Sequence, residues 1–62
     1  MGDIQDVIEF LKSVGVIKGD IVSYSGIVHY GESISVILGL PPEEAGQKVL
    51  DYLVKNGYIM VR

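Results

Sequence analysis

The chain has 62 residues, of which 48% are hydrophobic, with no cysteine and a formal charge of −3 from eight acidic and five basic side chains. That length holds one domain, residues 1–62, with a thin stability margin. The missing cysteines exclude a disulfide framework and a thiolate metal site, and no apolar run approaches the ~20 residues of a bilayer span. The basic balance that usually marks an autonomous nucleic-acid binder is absent from the composition. No basic, secretion-type segment opens the chain, so a cytoplasmic location is expected.

Asp3 to Val14 carries Ile4, Val7, Ile8, Leu11 and Val14 at helical spacing, with Phe10 widening the stripe. Asp3 suits the N-cap and Gly15 a left-handed stop. Val16 to Asp20 reads as a connector with a Gly19-Asp20 turn. Two β-rich tetrads follow, Ile21–Tyr24 and Ile27–Tyr30, around Ser25-Gly26. They predict a hairpin. The rival pattern keeps Ile21–Tyr24 as a strand and starts a short helix near Ser25.

Ser33 to Leu38 predicts a short helix that turns Ile34, Ile37 and Leu38 inward and ends at Gly39. Pro42 suits the first position of the next helix, and Glu43 and Glu44 suit its positive end. That helix is expected to run to about Lys55, burying Ala45, Val49, Leu50, Leu53 and Tyr52, and to stop at Asn56-Gly57. Tyr58 to Arg62 reads as a strand, with Ile59 and Val61 on one face and Tyr58, Met60 and Arg62 on the other. Gly46 inside the long helix costs about 1 kcal/mol relative to alanine, which points to close approach of another helix.

The run from Ser33 through Leu38-Gly39-Leu40-Pro41 to Glu44, with Val49 to Ile59 ending in Asn56-Gly57-Tyr58-Ile59, resembles the helix-turn-helix core of winged-helix domains. The resemblance implies an α+β fold: a small winged-helix-like domain with three helices and a two- or three-stranded antiparallel sheet, its wing truncated after Arg62. It also implies a non-catalytic, DNA-associated regulator. Gln47 and Lys48 would then meet base edges or phosphates, and Ser33, Ser35, Lys55 and Arg62 the backbone of the duplex. A fainter likeness links Ile17 to Ile27 with the start of the DNA-reading half of alkylguanine alkyltransferases, whose chemistry needs a cysteine this chain lacks.

Glu44 precedes Lys48, and Asp51 precedes Lys55, by four residues. These are favourable orientations for intrahelical ion pairs that would occupy both lysines. The acidic balance therefore implies weak or partner-dependent DNA binding. It also sustains an alternative: a protein-interaction or homodimerisation module that uses the apolar C-terminal strand edge. Tyr24, Tyr30, Tyr58 and Met60 are the expected interface residues in that case. His29 stands alone without a second histidine, and no serine sits in a nucleophile elbow. Hence no enzyme activity, metal, cofactor or small-molecule substrate is expected.

Overall fold

The computed structural model describes residues 2–62. Helix α1 spans Ile4–Ser13, followed by strands β1, Ile17–Lys18, and β2, Ile21–Ser23. Three helices come next: α2, Tyr24–His29; α3, Gly31–Leu38; and α4, Pro42–Lys55. Strand β3, Ile59–Val61, is the last element.

Helix α1 starts at a capping box. The Asp3 side chain accepts from the Gln5 and Asp6 N–H groups, while the Asp6 carboxylate accepts from the Asp3 N–H at 3.0 Å. It ends in a Schellman turn. Gly15 takes a left-handed φ of 82°, and the Val16 and Gly15 N–H groups donate to the Leu11 and Lys12 carbonyls. Helix α4 ends the same way: Gly57 has φ 79°, and Tyr58 and Gly57 donate to Leu53 and Val54.

The hairpin lies earlier in the chain than expected. Gly19-Asp20 forms its two-residue loop, with Ile17 opposite Val22 and Lys18 opposite Ile21. Gly19, at φ 62°, supplies the positive φ that a type II′ hairpin turn requires at its first central position. Ile27–Tyr30 is not a strand, and Ser25-Gly26 is not a turn between strands. Helix α2 begins at Tyr24 because the Ser23 side chain caps it, accepting from the Gly26 N–H at 3.2 Å. Gly26 lets that helix lie against Val16: a Cβ there would meet the Val16 Cγ2 at 2.7 Å. The rival pattern, a strand followed by a short helix, is the one the chain adopts.

The expected antiparallel sheet is mixed. β1 and β2 are antiparallel, but β3 joins the other side of β2 in parallel, with Ile21 opposite Ile59, Val22 opposite Met60 and Ser23 opposite Val61. Three helices separate β2 from β3, the long crossover a parallel pair needs. The helix count is four rather than three because α2 replaces the second strand of the expected hairpin.

Val7, Ile8 and Leu11 of α1 meet Val16, Ile17 and Val22 beside the sheet, Ile27 and Ile34 of α2 and α3, and Ala45, Val49 and Leu53 of α4. No polar or charged residue is buried among the described residues. Gln5 Nε2 donates to the Tyr52 hydroxyl at 2.8 Å, tying α1 to α4. Leu50 and Tyr52 are half-buried, and Val14 is exposed.

Candidate nucleic-acid interface

The segment from Gly31 to Lys55 forms a helix-turn-helix. Helix α3 ends when Gly39 enters the left-handed region at φ 67°. The Leu40 N–H donates to the Ser35 carbonyl at 3.2 Å, and the Ser35 hydroxyl donates to the Leu40 carbonyl. This clamp fixes the three-residue link 39–41. Pro42 then opens α4, where its missing N–H leaves no donor unmatched.

Ala45, Val49 and Leu53 bury one face of α4. The opposite face exposes Glu43, Glu44, Gln47, Lys48, Asp51, Val54 and Lys55. Carboxylates outnumber ammonium groups on that ridge, and two of them, Glu43 and Glu44, sit in the first turn. The Gln47 amide donates to the Asp51 carboxylate at 2.9 Å, so both are engaged with each other.

The expected contact residues therefore separate. Gln47, Lys48 and Lys55 share the exposed ridge of α4, with Gln47 held by Asp51. Ser33 is half-buried on α3. Ser35 is half-buried and serves as the turn clamp, its hydroxyl donating to the Leu40 carbonyl. Arg62 is exposed beyond β3. Nothing in the sequence distinguished the clamp from a free hydroxyl, because the acceptor lies five residues on, across the turn.

The expected protein-interface residues also lie apart from one another. Tyr24 is exposed at the start of α2. Tyr30 instead packs against the core, with its ring edge-on to Phe10 at 5.4 Å and to the exposed His29 at 4.8 Å. Tyr58 and Met60 are half-buried against the core, since Met60 lies opposite the fully buried Val22. The apolar side chains that β3 presents outward are Ile59 and Val61, beside Ile21 of β2. In a strand apolar on both faces, only the register with Val22 decides which face turns inward.

Gly46 does not admit a neighbouring helix: nothing lies within 4 Å of a Cβ built there. It lines an open groove of about 440 Å³ with Tyr24, Val28, Pro42 and Leu50. Among the described residues, no group of three or more His, Asp or Glu side chains could hold a metal ion, and no helix is long and apolar enough to cross a membrane.

These features define a small α+β domain of winged-helix-like architecture, with an exposed polar helix following a glycine turn. The chain is 62% identical over 61 residues to "Uncharacterized protein 69" of Sulfolobus islandicus filamentous virus (isolate Iceland/Hveragerdi), covering 98% of each chain, and it belongs to the same family as that viral protein. No family model matches the chain. No solved structure matches it.

Proposed function

We propose that this domain is a non-catalytic, DNA-associated module of the winged-helix type, binding weakly as a single copy. The observation that carries this reading is the helix-turn-helix itself: α3, a clamped three-residue link, and α4 with a solvent-facing ridge that is polar except at Val54. Such a second helix is the element that enters a major groove. Lys48 would approach the duplex from the ridge, Lys55 would contact phosphate, and Gln47 would reach a base edge after releasing Asp51. A cytoplasmic location goes with this reading, duplex DNA being the ligand.

The charge sets the strength. Glu43, Glu44 and Asp51 oppose phosphate along the same ridge, so affinity rests on few cations. If Lys48, Lys55 and Arg62 each neutralise one phosphate, the slope of log affinity against log salt is no steeper than about −3. Anisotropy titrations with labelled duplex DNA at about 50 mM and about 200 mM salt test this. The expected result is weak binding that fades with salt and is weakened several-fold by Lys48→Gln. Absence of binding at the lower salt overturns it.

A further inference from the structure

We infer that β3 pairs antiparallel with β3 of a second copy of this chain, across a twofold axis at Met60. β3 is an edge of the sheet, and it reads Ile-Met-Val with no charge and no proline. Edge strands that avoid pairing usually carry a lysine, a proline or a bulge. The opposite edge does: β1 is two residues long and includes the exposed Lys18.

The backbone specifies a strand as the occupant. In a parallel pair, the N–H and C=O of one residue point to the same side, and successive residues alternate. The Ile59 N–H donates to the Asp20 carbonyl at 2.7 Å, on the β2 side. Val61, two residues on, turns the same way, so the N–H and C=O of Met60 face the open edge. An extended chain laid along this edge satisfies both at once in place of water.

The side chains favour the same sequence as that occupant. With Met60 opposite the partner's Met60, the two residues exchange both backbone hydrogen bonds. Val61 then lies opposite the partner's Ile59, and the pairing repeats by symmetry on the outer face. These two side chains are 45% and 54% exposed, so both gain burial. Tyr58 meets the partner's Arg62, while the two Arg62 side chains stand at opposite ends of the paired strands. No acidic residue occurs from Asn56 to Arg62, so the net negative charge of each copy is not concentrated at the seam. Pairing edge to like edge about a twofold axis closes the assembly, and the six-stranded sheet ends at Lys18 on both sides.

The seam is short, so the expected behaviour is a reversible monomer–dimer equilibrium and not an obligate dimer. This inference goes beyond DNA binding and stands without it. Sedimentation equilibrium of the DNA-free chain, from about 10 μM to about 1 mM, spans the range expected of so small an interface. The weight-average mass should rise from 6.8 kDa toward twice that value. Val61→Lys and Met60→Pro should each hold the chain at monomer mass, the proline because it removes the outward-facing donor and leaves the β2 ladder intact. Circular dichroism shows whether each variant stays folded. Val54→Lys, at an exposed apolar site on α4, should leave association unchanged. A monomer at every concentration overturns the pairing. So does association that survives Val61→Lys or is lost with Val54→Lys, because the seam would then lie elsewhere.

Discussion

Ile17 and Ile21 stand on adjacent strands of one hairpin, one residue pair apart in register, and meet opposite fates. Ile17 lies opposite Val22 and is buried against α1, whereas Ile21 lies opposite Lys18 and Ile59 and is 46% exposed. The same side chain on the same kind of strand is core in one place and surface in the other. Two helical glycines repeat the contrast: Gly26 is pressed against Val16, and Gly46 faces open space. What a residue contributes here is set by what its Cβ points at, and each pair can be tested by making one identical change at both members.

The largest difference is expected from the isoleucines. Ile17→Ala removes buried methyl groups and leaves a cavity, with an expected loss of about 2–5 kcal/mol. Ile21→Ala gives up surface that is already half in water, with an expected loss below about 1 kcal/mol. Urea unfolding of both variants at one protein concentration makes the comparison. Equal losses would mean that the outer face of the hairpin is covered in solution.

Next is Gly26→Ala. The added methyl would stand 2.7 Å and 3.0 Å from the two γ-carbons of Val16, which is itself buried. A β-branched neighbour has little rotamer freedom with which to yield. Overpacking of this kind costs about 1–3 kcal/mol, against a gain in helix propensity of about 1 kcal/mol. Net destabilisation is expected, and Val16→Ala in the same chain should relieve it. Additive effects of the two substitutions would show that the contact does not bear on stability.

The outer helices and the glycine turn were legible because their signals are local. Asp3, Gly15, Gly39, Pro42 and Gly57 act within a few residues of themselves, and the apolar spacing of α1 and α4 is long enough to define one face. Residues 24–30 were ambiguous, readable as a hairpin strand or as a short helix. Ile27 and Val28 favour strand by type, and a helix forms because Ser23 caps it and Gly26 fits Val16, a contact across ten residues. The direction of β3 and the inward face of Met60 depend on pairing with β2, more than thirty residues away. At the candidate interface, the α4 ridge could be read from periodicity. The commitments of Ser35 to Leu40 and of Gln47 to Asp51 could not, because each needs the geometry of a turn or a rotamer.

Gly46→Ala should move stability in the opposite direction to Gly26→Ala. A methyl at Gly46 meets nothing within 4 Å, and the residue lies inside α4 with a φ open to any side chain. Only the helix propensity then counts, a gain of about 1 kcal/mol. For a domain of this size that corresponds to a rise of roughly 4–8 °C in Tm. Gly46 lines the groove with Tyr24, Leu50 and the ridge residues Glu43 and Gln47, and has no side chain of its own to offer a duplex. DNA affinity should therefore stay unchanged while the melting temperature rises. A fall in Tm would show that something packs into the groove in solution. A fall in DNA affinity at unchanged stability would move the duplex contact from the ridge to the groove side of α4.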